Sequence, residues 1–144
     1  MPIFGKRSNK NLNECHEDLR MLFRVVIEKF DCSVIKGKRG EEEQEAAFAA
    51  MLSKLHYPDS PHNKEPLSHA ADVIPWPVNW KDRDRFYFFG GYVKGIATEL
   101  FATGKMNHEI RWGGDWDGDT NVHDQSFMDL PHFELIGVSE NEDR

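Results

Sequence analysis

Seven histidines stand at positions 16, 56, 62, 69, 108, 123 and 132. Two of them, His62 and His132, have carboxylates in settings that suit metal-assisted chemistry. His62 lies in a proline-rich loop ahead of an apolar run, Ala70-Ala-Asp72-Val-Ile74, and His132 opens the last strand three residues after Asp129. A carboxylate inside an apolar strand is costly to bury unless it is paired or binds a cation, and Asp72 sits between Ala71 and Val73. Two imidazoles and one carboxylate form a ligand set for a catalytic zinc, with water in the fourth position. Zinc lowers the pKa of that water towards ~7 and polarises a carbonyl. A nearby carboxylate such as Asp129 can then take the proton and pass it to a leaving amine. The residues alone leave plainer readings open: Asp72 as a turn or cap residue, His62 solvated in its loop, His132 satisfied by neighbouring backbone. The spacing is neither that of a zinc finger nor that of an HExxH helix.

Other residue types carry weaker signals. Asp115, Asp117 and Asp119 alternate like half of a calcium loop, without the remaining ligands of an EF-hand. His123 and Asp124 share that loop and either line a cleft or are solvated. Trp112 and Trp116 are candidate walls for a sugar-peptide substrate, with core packing the alternative. Glu134 shares a strand face with His132 and suits a supporting role that orients a ligand. His69 is near Asp72 in sequence, but in a strand a separation of three points the two side chains to opposite faces, so it reads as a neighbour of the site or cleft wall. His16, His56 and His108 read as surface or structural.

These residues need elements to position them. Leu12, Leu19, Leu22, Phe23, Val26, Ile27 and Phe30 recur at helical spacing, so a helix is expected over about 12–30, capped by Asn11 or Asn13. Cys32 to Lys36 reads as a strand and Gly37 to Gly40 as a turn. A second helix is expected over 41–55. Its first turn holds Glu41, Glu42 and Glu43, where the helix dipole favours anions, and Ala46, Ala47, Phe48, Ala50, Met51 and Leu55 form its packing face. After a proline-rich loop come a strand at 70–74 and a third helix from Asp82 to about Thr103, broken or closely packed at Gly90-Gly91. Strands follow at 109–112 and 132–136, separated by a Gly/Asp-rich loop. An irregular loop of that length in a small domain usually has a job. The class is α+β, a single domain over 1–144 with about three helices on a small, mainly antiparallel sheet. Its core is expected over about 8–137, with a frayed acidic tail at 138–144.

Composition narrows the function. The 144 residues carry 18 basic and 25 acidic side chains, for a net charge of −7. That balance argues against nucleic acid, which requires a positive face. Cys15 and Cys32 make no disulfide framework and read as small buried thiols. No apolar run follows Lys6 and Arg7, so the start is not a signal peptide. The greasiest stretch, 86–101, contains Lys94 and Glu99 and is too short to span a bilayer.

Several short pieces, in order, carry a resemblance. Ser60-Pro-His62, Ala70-Ala-Asp72-Val-Ile-Pro75, Trp112-Gly-Gly-Asp-Trp116 and Asp129-Leu-Pro-His132-Phe-Glu134-Leu resemble the VanY-like D-alanyl-D-alanine carboxypeptidase and L-alanyl-D-glutamate endopeptidase family, in its phage endolysin branch. Ser8-x3-Leu12-x3-His16-x2-Leu19 and Gly37-x-Arg39-x4-Gln44 fit the same branch, so the resemblance runs from about Ser8 to Gly137.

The resemblance implies a hedgehog/DD-peptidase-like fold, Zn2+ held by His62, Asp72 and His132, and Asp129 as catalytic base. It implies that Arg39 anchors substrate or stabilises charge on the carbonyl oxygen. Gln44, Trp112 and His123 would join Arg39 in binding substrate. Nine residues separate His62 from Asp72, three more than the family pattern, and Ser68 stands where it has glycine. Read without a gap, the first ligand would be Glu65. The intact Ser-x-His piece and the low cost of a loop insertion favour His62.

The implied activity is hydrolysis of a peptide bond in the stem peptide of bacterial peptidoglycan, L-alanyl-D-glutamate first. A D-Ala-D-Ala carboxypeptidase and a non-catalytic zinc- or wall-binding module are the alternatives. The implied protein is a monomer without membrane insertion. It waits in the host cytoplasm until the inner membrane is breached, then acts on the cell wall.

Overall fold

The structure is a computed structural model and describes residues 1–138; the rest of the expected acidic tail lies outside the described residues. Leu12, Leu19, Leu22, Phe23, Val26 and Ile27 are all buried, as their spacing predicts. They belong, however, to two helices, α1 (Lys6–Asn13) and α2 (Glu17–Lys29), where one was expected. The break has a polar cause. The backbone N–H of His16 donates to Ser68 O at 2.8 Å, drawing the chain toward the strand that follows Ser68. His16 Nδ1 then accepts from the backbone N–H of Asp18 at 3.0 Å, so His16 caps α2. Asn11, an expected cap, instead donates from Nδ2 to Val34 O at 2.8 Å.

Four strands follow: β1 (Cys32–Lys36), β2 (Ala70–Pro75), β3 (Glu109–Gly113) and β4 (Asp129–Ile136). They form one antiparallel sheet in the order β1-β2-β4-β3. β4 begins three residues earlier than expected, so Asp129 and His132 share one strand. Helix α4 (Arg83–Ala102) is capped by Asp82, whose Oδ1 accepts from Arg85 N. It packs with α2 over one sheet face, where Phe23 and Phe89 meet Phe133 edge-on with ring centroids 5.5 and 6.1 Å apart. The helix runs unbroken through Gly90-Gly91. Gly90 is the close approach: a Cβ there would fall inside the Trp112 indole, whereas one on Gly91 would meet nothing.

Helix α3 (Glu41–Ala49) departs most from expectation. It ends six residues early, with Met51 just beyond it at φ 63°. Its apolar residues do not pack inward; Gln44 is its one buried side chain, while Phe48, Met51, Leu52 and Leu55 are exposed. Among the described residues the fold thus has four α-helices, and α3 contributes to the site through Gln44, which holds Arg39, rather than to the core. Cys15 and Cys32 are free and buried, and burial pushes both thiols up to about 12. No helix among the described residues is long and apolar enough to cross a membrane.

Candidate metal centre

The sheet register supplies the first two groups. Asp72 of β2 pairs directly with His132 of β4, and directly opposed residues present their side chains to the same face within contact distance. A one-turn 3-10 helix, Pro61–Asn63, supplies the third. Ser60 Oγ accepts from the backbone N–H of His62 at 3.2 Å, and Asn63 Oδ1 accepts from that of Ser60 at 3.1 Å, so the Ser-x-His piece is a capped turn. One backbone and one side-chain hydrogen bond attach this turn to the Gly37–Arg39 loop: Arg39 N donates to His62 O at 2.8 Å, and Asn63 Nδ2 to Arg39 O at 2.9 Å. His62 is thereby buried, at 2% exposure, in what the sequence suggested was an open loop.

Three atoms converge. His62 Nε2 lies 3.2 Å from Asp72 Oδ1 and 3.2 Å from His132 Nδ1, and His132 Nδ1 lies 3.4 Å from the same oxygen. The other ring nitrogens are already engaged. His62 Nδ1 donates to Gly37 O at 2.7 Å, and His132 Nε2 donates to Glu134 Oε1 at 2.9 Å. Those bonds leave Nε2 of His62 and Nδ1 of His132 as lone-pair donors facing each other and a carboxylate, an arrangement that asks for a cation. Without a metal the demand falls on protons. Burial opposes charging His132, but hydrogen bonds to Asp72 and Glu134 outweigh it and push the imidazole up to about 10. Burial likewise opposes ionising Asp72, yet the His62 charge and the two imidazole hydrogen bonds hold its carboxyl below the usual carboxylate range. The two-nitrogen, one-oxygen donor set fits a divalent ion such as zinc with a corner left for solvent.

Asp129 stands at the edge of this group, Oδ2 4.0 Å from His132 Nδ1. Burial, and then the Asp72 charge, push its carboxyl up to about 6. Arg39 Nη2 lies 3.6 Å from Asp72 Oδ2, on the side away from the histidines. Gln44 is fully buried; its Oε1 accepts from Arg39 Nη1 at 3.0 Å, while its Nε2 donates to Ser53 Oγ and Leu55 O. Gln44, expected as a substrate contact, is buried behind Arg39 and aims its guanidinium. Glu134 is held by Arg111 at 2.9 Å on the side away from His132.

Trp112 and His123, two further expected substrate contacts, have opposite surroundings. Trp112 is buried, stacked on Phe133, with its Nε1 donating to Leu130 O at 2.7 Å. His123 is exposed, and its backbone N–H donates to Asn121 Oδ1 at 2.9 Å. Trp116 lines the cleft: its ring centroid lies 5.5 Å from that of His132, and its Nε1 donates to Phe127 O at 2.7 Å. Glu65, the alternative ligand, pairs with Lys38 at the surface. His69 packs edge-on to His16, with centroids 5.8 Å apart. His108 is buried and bonds Asp18 at 2.8 Å, and His56 pairs with Glu45 in the open.

The cleft extends to both sides of Asp129. Two lobes, each of ≈ 330 Å³, share Arg39, Leu52 and Asp129; one continues along Lys54, Arg111 and Trp116, the other along Trp80, Arg83 and Phe86. Lys54, Arg83, Leu52 and Phe127 carried no sequence signal, because they reach the cleft from unrelated loops and helix ends.

Residues 2–136 match the family described as phage L-alanyl-D-glutamate peptidase. Among solved structures, the chain is similar to the L-Ala D-Glu endopeptidase ChiX of Serratia marcescens. The TM-score is 0.69 and the identity 27%, covering 92% of this chain and 90% of that one. No curated protein matches the chain.

Proposed function

The chain belongs to the phage L-alanyl-D-glutamate peptidase family and is a peptidoglycan peptidase; from that premise we propose that it is a zinc-dependent endopeptidase cutting the L-alanyl-D-glutamate bond of the stem peptide. The observation that carries the zinc reading is the convergence of His62 Nε2, His132 Nδ1 and Asp72 Oδ1, each ring oriented by a bond to its other nitrogen. Zinc bound there would supply a water of lowered pKa and polarise the scissile carbonyl.

The side chains divide the remaining work. Asp129, raised toward neutrality and facing the same space, takes the proton from the attacking water and returns it to the departing amine nitrogen. Arg39, held by Gln44 and by the far oxygen of Asp72, offers a fixed cation where negative charge grows on the carbonyl oxygen. Trp116 walls one side of the bound peptide. Because the cleft continues past Asp129 in both directions, it has room for chain on either side of the bond, which favours internal cleavage over trimming of a terminal D-alanine. The enzyme would reach the wall once the host's inner membrane is breached.

Mass spectrometry of muropeptides digested with the purified protein tests this reading. New L-alanine carboxyl termini are expected; free D-alanine as the main product would assign the carboxypeptidase activity instead. Intact muropeptides, from folded protein that binds zinc, would point to a non-catalytic module.

A further inference from the structure

The bond proposed above sets what each side of the cleft must hold, and the inference drawn here rests on that reading. In the stem peptide the L-alanine nitrogen is joined to the lactyl group of the muramyl sugar. One residue, roughly 3.5 Å of extended chain, therefore separates the cut bond from the sugar's own side chain. On the other side of the bond stands D-glutamate, which carries a free α-carboxylate. A pyranose must enter one lobe of the cleft and anionic peptide the other.

The two lobes differ in kind. One is cationic: it holds Arg111 and Lys54, whose ammonium lies 5.2 Å from the Phe127 ring centroid and makes no ion pair among the described residues. The other is lined by Trp80, Arg83, Met128, Leu130 and Pro131. Trp80 is 57% exposed, yet its ring has a firm backing. It stacks on buried Phe86, with centroids 5.3 Å and planes 22° apart. The turn beneath it is tied down, since Asn79 accepts from the backbone N–H of Lys81 through Oδ1 and from that of Asp82 through its carbonyl oxygen, each at 3.1 Å. Trp116, by contrast, is half-buried, with Phe127 stacked at 6.1 Å and His132 at 5.5 Å. Arg83 stands beside Trp80 in the lobe; its guanidinium lies 5.8 Å from the Tyr87 ring centroid and makes no ion pair among the described residues.

We propose that Trp80 and Arg83 form a glycan subsite, in which the indole stacks on the muramyl pyranose and the guanidinium donates to its acetamido or hydroxyl oxygens. The face of a pyranose presents polarised C–H groups, which the negative face of an indole attracts. Arg offers five N–H donors and no acceptor, which suits sugar oxygens. The substrate then has a direction: it runs from Trp80 past Asp129 towards Lys54 and Arg111, with the carboxylate of D-glutamate on the cationic side.

Binding rather than turnover tests the subsite. The full-length Asp129→Asn protein, supplied with zinc, is titrated by calorimetry with two ligands. One is a disaccharide-tripeptide from peptidoglycan; the other is the same tripeptide with an N-acetyl group in place of the sugar. The sugar-bearing ligand should bind about 10-fold more tightly, the order of one good ring-face contact. Adding Trp80→Ala should bring the ratio of the two affinities close to one, and Trp80→Phe, which keeps an aromatic face, should retain part of it. The ratio is taken within one protein, so a general loss of affinity cancels. Because no bond is cut, the result is independent of whether the enzyme cleaves; a failed endopeptidase reading shows instead in the muropeptide products. Equal affinities for the two ligands, no binding of either, or a sugar preference that survives Trp80→Ala would overturn the proposal.

Discussion

His62 and His132 offer different ring nitrogens to the same carboxylate oxygen, and the choice is made by what lies behind each ring. Gly37 O takes the Nδ1–H of His62, and Glu134 takes the Nε2–H of His132. Loss of such a supporting bond typically weakens metal affinity about 10–100-fold. Glu134→Gln should therefore weaken zinc binding by that order in a competition titration with a chromophoric chelator, without removing a ligand; unchanged affinity would contradict the orienting role. Asp129→Asn should bind zinc almost normally yet lose at least ~100-fold in kcat. The pH profile belongs to the same residue. A carboxyl raised to about 6 is protonated, and so useless as a base, below that value. The rate should fall as pH drops through about 6, or somewhat lower once a bound dication stabilises the carboxylate. A rate that climbs on acidification across that range would exclude Asp129 as the base. At this scale the sequence marked residues that the fold brings together, since an acid in an apolar strand and a His three residues after an Asp are local signals, but only the family resemblance joined His62 to them. Gln44 was legible only as part of a motif. Its contact with Arg39 depends on where Ser53 and Leu55 fall in space.

At the scale of elements, apolar periodicity found the α2 face, and the strand at 70–74 and the helix from Asp82 lie close to their expected bounds. It failed wherever polar contacts from distant residues decide the outcome. The break between α1 and α2 is made by Ser68, and α3 stops where its end serves to hold Gln44. The apolar residues of α3 looked like a core face because no local rule distinguishes a face turned inward from one left in solvent. The paired glycines of α4 give a sharper test, since they have opposite surroundings. Gly90→Ala drives a methyl into Trp112 and should cost about 1–3 kcal/mol, as overpacking does. Gly91→Ala meets open space and should stabilise by about 0.5–1 kcal/mol through helix propensity. Urea unfolding of the two variants distinguishes them; equal effects would contradict this packing of α4 on β3.

For the molecule as a whole, the order of elements matters because it brings three candidate ligands together from three separated stretches. The sheet brings β2 and β4 into register, and the Gly37–Arg39 loop, bonded to the His62 turn, closes the third side. Sequence spacing alone cannot reveal that closure, since the extra residues between His62 and Asp72 are absorbed in a loop whose ends stay fixed. The central claim is that His62, Asp72 and His132 hold one zinc ion that peptide cleavage requires. It is tested most directly by elemental analysis of the purified wild type, His62→Ala, His132→Ala and Asp129→Asn proteins, each assayed on muropeptides. One zinc per chain is expected in the wild type and in Asp129→Asn, and little in either histidine variant, with cleavage in the wild type alone. Stoichiometric zinc in the folded His62→Ala and His132→Ala proteins, or full cleavage by metal-free wild type, would contradict the account.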